Sequence, residues 1–390
     1  MSGARLVYLD NHATTRCDPR VLDAMLPYFS EHYGNAGSRS HALGFQARSA
    51  VELARKRVAS WIGASPKEVV FTSGATESNN LAILGTARAH AGRGRHVVTA
   101  STEHKAVLDP MTQLEVEGWE VTRLGVGQDG RIDLGEFASA LREDTTLVSI
   151  MTTNNETGVE QPLKEIARIC QEHEVFLHTD AAQAAYTPVS VEDHPLDLVS
   201  LSGHKVYGPK GVGALYIRRG RPRISPEPLL HGGGQERGYR SGTLPVPLIV
   251  GMGVAAQLLL DEASEEARRL EGLRDRLLNE LSSRHDGVSV NGSVAHRAPH
   301  NLHLSIEGVD AEALLMATRD VACSTGSACT SATLEPSHVL RAMGLPEPAL
   351  RSSIRLGLGR FTTNDDVSFA IERISSSIQH LRALSQSHGL

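Results

Sequence analysis

The sequence predicts an α/β protein with a mostly parallel, doubly wound sheet, followed by a smaller α+β unit. Short β-rich runs alternate with helically spaced segments through the first two thirds of the chain. That alternation is the pattern of a parallel sheet with helices on both faces. Several runs are apolar throughout, as strands buried on both faces are. The rhythm breaks near residue 222, where Pro and Gly cluster.

In order, the strand-like runs are Glu68–Thr72, Arg95–Ala100, Trp119–Leu124, Leu147–Met151, Val175–Thr179, Leu196–Leu201 and Gly213–Ile217. Between them, Ala47–Ile62, Glu77–His90, Ala106–Glu117 and Leu163–Glu174 carry helical spacing. After the break, a long helix is expected from Leu248 to about Arg284, with a charged middle. Strand-like Gly287–Asn291 and Asn301–Ile306, a helix over Asp310–Arg319 and a final helix from Asp365 complete the second unit. The division expected is 15–255 for the large unit, and 1–14 with 256–390 for the small one.

The chain has 390 residues, ample for a sizeable core, and 40% of them are hydrophobic. A net charge of -6 argues against a partner held by bulk attraction to nucleic acid. The start of the chain lacks the apolar region of a signal peptide, so the cytoplasm is expected. Leu248–Leu260, the most apolar stretch, falls short of the roughly 20 residues a membrane span needs and reads as a buried helix. Four cysteines, at 17, 170, 323 and 329, make no disulfide framework in a chain this long. The only lysines are at 56, 67, 105, 164, 205 and 210, so covalent amine chemistry has few candidates.

Three motifs follow strands, where ligands of open α/β sheets bind. Phe71-Thr-Ser-Gly-Ala-Thr-Glu-Ser-Asn-Asn opens a helix with small residues. It reads as a phosphate cradle or as a plain N-cap. His178-Thr-Asp180-Ala-Ala-Gln183 places a carboxylate that can hold a cationic ring nitrogen or cap a helix. Leu201-Ser-Gly-His204-Lys205-Val-Tyr-Gly-Pro-Lys-Gly puts a lysine on a tight turn, placed for a Schiff base with an aldehyde. Lys210 competes but sits in Gly-Pro-Lys-Gly, so Lys205 is preferred. Together the three describe a site for pyridoxal 5′-phosphate. His104 falls at the same sheet edge, where a ring can stack on a planar cofactor or cap a helix.

The fourth motif, Cys323-Ser-Thr-Gly-Ser-Ala-Cys329-Thr-Ser-Ala, reads as a mobile loop over about 323–335. Cys329 is its expected nucleophile, whereas Cys323 reads as the buried end of the preceding element. The six-residue spacing suits no metal site. Cys170 lies on an apolar helical face and reads as core.

These pieces resemble the NifS/IscS-type cysteine desulfurases, class V enzymes of the fold-type-I pyridoxal-phosphate group with an aspartate-aminotransferase-like fold. The matching motifs are Tyr8-Leu-Asp-Asn-His-Ala-Thr-Thr, Thr72-Ser-Gly-Ala-Thr-Glu-Ser, Thr102-Glu-His, Asn154-Asn155-Glu-Thr-Gly, Thr179-Asp180-Ala-Ala-Gln183, Ser202-Gly-His204-Lys205, Gly232-Gly-Gly-Gln-Glu-Arg-Gly, Arg240-Ser-Gly-Thr243, Ser327-Ala-Cys329-Thr-Ser and Ser353-Ile-Arg355. They cover nearly the whole chain. The Ser-x-Ala-Cys-Thr-Ser loop separates this group from SufS-like relatives, whose loop is shorter.

The resemblance implies a seven-stranded sheet in the large unit and a role for each matching residue. Lys205 binds the cofactor aldehyde, His104 stacks on the ring, Asp180 pairs with the ring nitrogen and Gln183 meets the ring hydroxyl. Ala75, Thr76, Ser202 and His204 hold the phosphate, with Thr243 supplied by the second subunit of a homodimer. Asn155 and Arg355, with Asn35, bind the substrate carboxylate, and Cys329 takes the sulfur as a persulfide. The reaction implied converts L-cysteine to L-alanine and passes sulfur to an acceptor protein. Iron–sulfur assembly, tRNA thiolation and other sulfur pathways stay open as the destination. The chain stops at Leu390, short of the tail with which housekeeping members dock an iron–sulfur scaffold. His12 stands where many members have Asn or Ala, and little effect is expected from it. Selenocysteine lyase and aminotransferase are the alternative activities, and an aminotransferase would not need Cys329.

Overall fold

The computed structural model describes residues 5–220, 222–325 and 337–387. In chain order its strands are β1 Val7–Tyr8, β2 Val69–Thr72, β3 His96–Ala100, β4 Glu120–Leu124, β5 Thr145–Ser149, β6 Phe176–Asp180, β7 Leu198–Ser202, β8 Gly213–Ile217, β9 Val288–Val290, β10 Asn301–Ile306, β11 Val321–Ala322 and β12 Ser353–Gly357. Seven form one sheet in the order β2-β8-β7-β6-β5-β3-β4. Strand β8 runs antiparallel to both of its neighbours, and the remaining pairs are parallel.

Alternation along the central strands explains why helices cover both faces. Val98, Val148, Leu177 and Val199 point to one side, where they meet Val51 and Val58 of the Ala42–Trp61 helix and Ile166 of the Leu163–Glu172 helix. Their neighbours Val97, Leu147, Phe176 and Leu198 point to the other, against Leu81, Ile83, Met111 and Leu114. Each such side chain contributes about 1.5–3 kcal/mol by leaving water. Edge strand β4 is instead half exposed.

The helix Val246–Arg284 packs its first half on the large sheet's core through Ile249, Met252 and Ala256. Its second half supports a small antiparallel sheet, β12-β10-β9, through Leu270, Leu273, Leu277 and Leu281. The helix is long and apolar enough to pass a length test for a membrane span, but half of that apolar window is buried in the protein. Helix Asn364–Ser387 closes the small core with Ile371, Ile374 and Ile378.

The strand and helix expectations hold with small shifts at the ends. Missing from them are β12 and the pair β1 and β11, two-residue strands that pair with each other in parallel through Val7↔Val321 and Tyr8↔Ala322. No periodicity can show in two residues. Helix Leu134–Ala140 also escapes notice because only its Phe137 is buried. Residues 326–336, which include Cys329 and most of its expected loop, lie outside the described residues.

Candidate active site

A cavity of about 410 Å³ opens at the carboxyl ends of the central strands. Of the residues singled out in the sequence, Ala75, Thr76, His104, Asn155, Asp180, Gln183, Ser202, His204 and Lys205 all line it. Lys210 lines it as well but is exposed, whereas Lys205 is half-buried in the one-turn helix Gly203–Lys205 directly after β7.

The turn carrying Lys205 is held from several sides. Lys205 Nζ donates to the His12 carbonyl. Two residues on, Tyr207 adopts φ +64°, unusual for a side chain this large. Its N–H donates to Thr15 Oγ1 at 2.8 Å, and its hydroxyl accepts from Tyr186 and from the Arg360 N–H, each at 2.8 Å. Surroundings that fix a residue this fully can sustain a strained backbone.

The ends of β2, β8 and β7 meet at Gly213, which pairs with Thr72 on one side and Ser202 on the other. A Cβ on Gly213 would come within 2.6 Å of Gly74 Cα, so only glycine fits there. The helical run begun by Ala75 starts at this point, and a Cβ on Gly74 would meet nothing within 4 Å. Free N–H groups face open space, with Ser202, His204 and Thr76 around them, which suits a phosphate. Burial and the nearby Lys205 and Lys210 depress His204 to about 4, so its ring is neutral. Glu77 lines the same end, where burial would raise its carboxyl. Arg240 at 2.9 Å and the Ser73 N–H at 2.8 Å outweigh that and hold it low.

Deeper in, the nearly buried Asp180 accepts from Asn79 Nδ2 at 2.7 Å and from the Ala182 N–H at 2.9 Å. Two neutral donors leave a carboxylate suited to a cationic ring nitrogen. His104 Nδ1 accepts from the Ala106 N–H at 3.1 Å, capping helix Lys105–Val116. The capping and cofactor readings of His104 are therefore compatible, and Nδ1 carries no proton. Phosphate cradle, carboxylate and turn lysine all fit pyridoxal 5′-phosphate.

Arg355 lies behind Asn155, outside the cavity lining, with a guanidinium only 1% exposed. It donates to the Asn155 carbonyl at 2.8 Å, to Asp10 Oδ1 at 2.8 Å and to Ser324 Oγ at 2.8 Å. Its Nε is buried without a protein partner among the described residues, an open donor for an anion. Asn35 and Thr243 are both exposed and line no part of this cavity. Asn35 uses its Oδ1 on the Gly37 N–H at 2.8 Å. Cys323 is half-buried beside β11, where burial and Asp10 push its thiol up to about 12, away from the thiolate form a nucleophile needs. Cys170 is core, its thiol raised by burial. Cys329 lies outside the described residues.

Several residues without an expected role prove to shape the site. Asn79 orients Asp180, and its only sequence signal was a polar residue on a buried helical turn. Glu156, fully buried, accepts from the Ser337 hydroxyl. Burial pushes its carboxyl up to about 7, against the pull of Ser337, Arg355 and His104. Ser324 and Ser337 lie on either side of residues 326–336, and both are bonded to the residues around Asn155. His12 is fully buried beside Gln183 and Lys205.

A family model described as aminotransferase class-V matches residues 7–369. Over 380 residues the chain is 56% identical to a cysteine desulfurase IscS of Anaeromyxobacter sp. (strain Fw109-5), covering 97% of this chain and 94% of that protein. It is 53% identical to a human cysteine desulfurase over 382 residues, 98% of this chain and 83% of that one. Among solved structures, a NifS-like protein superposes with a TM-score of 0.90 at 38% identity, covering 96% of this chain and 100% of the other. DndA from Streptomyces lividans gives 0.77 at 46% identity, covering 88% and 97%.

Proposed function

The chain belongs to the class-V aminotransferase family, and we propose that its reaction takes sulfur from L-cysteine, leaving L-alanine and a persulfide on Cys329. The protein is a cysteine desulfurase with the fold-type-I architecture, and its cofactor is pyridoxal 5′-phosphate. When bound, the cofactor supplies an electron sink for charge developing at the substrate α-carbon. One observation carries the reading. Lys205, Asp180 and the start of the Ala75 helix share one cavity, and Ser324 and Ser337, on either side of residues 326–336, are bonded at its substrate side.

Each residue then has one task. Asp180, oriented by Asn79, stabilises a positive ring nitrogen, and Gln183 meets the ring hydroxyl while His104 covers the ring. Ala75, Thr76, Ser202 and His204 hold the phosphate. Asn155 and Arg355, joined by Asn35, take the substrate carboxylate. Lys205 moves the α-proton. The Cys329 thiolate attacks the substrate sulfur: an S–S bond forms as the C–S bond breaks, the electron pair of that bond stays on the carbon side, and the β-carbon takes up a proton to become the methyl group of the departing alanine. An acceptor protein then removes the terminal sulfur. A cytoplasmic setting suits thiols that must stay reduced.

The working unit in this reading is a homodimer. Leu22, Leu26, Phe29 and Tyr33, in and beside the helices Pro19–Met25 and Pro27–Ser30, and Phe45 and Leu53 of helix Ala42–Trp61 are large apolar side chains left exposed, as a partner surface would leave them. A second copy would also bring Thr243 to a cavity that its own chain leaves without it. Residues 15–255 act as the cofactor unit, and 1–14 with 256–390 as the smaller unit. Its support is the small core, which draws Val7 and Leu9 to Val321 and Leu356.

Two substitutions test the assignment. Cys329→Ser keeps the yellow bound cofactor and releases no sulfide from cysteine; full activity in that variant overturns the nucleophile. Lys205→Ala loses the visible absorbance of the cofactor; an unchanged spectrum sinks the lysine.

A further inference from the structure

Four side chains form a relay in which every donor and acceptor is fixed by chemistry. Arg297 can only donate, and it donates to Asn301 Oδ1 at 2.7 Å. Asn301 Nδ2 is therefore the amide's donor end; it donates to the Glu156 carbonyl at 3.0 Å and faces His12 Nε2 at 3.1 Å. His12 Nε2 must accept, so a neutral His12 carries its proton on Nδ1. That Nδ1 lies 3.1 Å from Gln183 Oε1, and Gln183 Nε2 donates back to the His12 carbonyl at 3.1 Å.

We propose that His12 is a positioning residue that locks the Gln183 amide so that its second N–H is presented to the cofactor. A flipped amide would set Nε2 against the His12 Nδ1–H and Oε1 against the His12 carbonyl, two like-against-like contacts between buried side chains. In the observed orientation one Nε2 proton is used by His12, and the other remains for the cavity that Gln183 lines. The ring is held in place as well, packed against His300 with centroids 4.4 Å apart and the planes tilted by 31°. Burial, His300, Arg355 and Lys205 all oppose a second proton on His12, which keeps it the neutral one-donor, one-acceptor link the relay needs. The proposal rests on the reading that Gln183 meets the ring hydroxyl.

The test is the pH titration of the visible absorbance of the pyridoxal-phosphate holoenzyme. An asparagine places a side-chain nitrogen where His12 has Nδ1, so His12→Asn restores the donor and keeps the wild-type midpoint. His12→Leu removes the donor and shifts the midpoint by about one pH unit, the scale of a hydrogen bond to a charged group, in the same direction as Gln183→Ala. The His12→Leu/Gln183→Ala double variant shifts no further than Gln183→Ala alone. A wild-type midpoint in His12→Leu, or an equal extra shift in the Gln183→Ala background, overturns the positioning role. Should His12→Leu not fold, His12→Gln takes its place, because it keeps an acceptor near the Nε2 position and loses the donor. An unchanged midpoint in Gln183→Ala with normal cofactor uptake overturns the ring contact beneath the proposal. Failure of the wild-type protein to take up the cofactor overturns the functional reading as a whole.

Discussion

Arg355 Nη2 lies 2.8 Å from Asp10 Oδ1, a pair that joins β12 to the segment after β1 with the guanidinium almost wholly buried. Removing one partner of such a pair leaves a charge that protein must accommodate without water. Asp10→Asn is expected to lower stability by on the order of 2 kcal/mol, read as a lower urea midpoint. Arg355→Lys offers a compact charge in place of a fork that reaches Asn155, Asp10 and Ser324 together. It is expected to raise KM for cysteine about tenfold with a smaller change in kcat. An unchanged KM would remove Arg355 from substrate binding.

Asn79 lies on the helix of the phosphate end and reaches from it to the carboxylate of the ring end. Asn79→Ala takes from Asp180 one of its two donors among the described residues, and a hydrogen bond to a charged group is worth about 1.5–3 kcal/mol. Cofactor affinity, followed by absorbance on dialysis and readdition, should fall about tenfold. Wild-type retention would show that Asp180 needs no help from Asn79.

Glu156 makes the protein's stability depend on pH. Its folded pKa, about 7, stands above the ordinary 4.5, so between those values the folded chain holds a proton that the unfolded chain has released. Stability from this group is therefore present below about 4.5 and is lost as pH rises towards 7. Glu156→Gln keeps an acceptor for Ser337 and should flatten this part of the profile, measured as urea midpoints across the window. The same slope in wild type and variant would assign it to another group.

Sizing chromatography is expected to return a dimer, with Thr243→Ala lowering cofactor affinity though the residue lies off its own chain's cavity. A fully active monomer would refute the shared site.

The local features of this protein were legible in its sequence. Asp180 closes a strand, Lys205 sits on the tight turn that follows one, and the Ala75 helix opens with small residues. Strand alternation and capping chemistry act over a few residues, so the sequence itself determined the doubly wound sheet and placed three parts of the site along its edge. Only the tertiary structure decided how those parts are held. His12 reaches Gln183 across 171 positions, Asp10 reaches Arg355 across 345, and Glu156 reaches Ser337 across 181. Such pairs follow no period and carry no turn signal. They exist because packing brings β1, β11 and β12 against the end of the large sheet, where a buried polar group must find a partner or cost the fold its desolvation. His12 shows the difference most clearly: in the sequence it was a neutral replacement, and in the fold it is the link between a donor-only arginine and the amide that faces the cofactor.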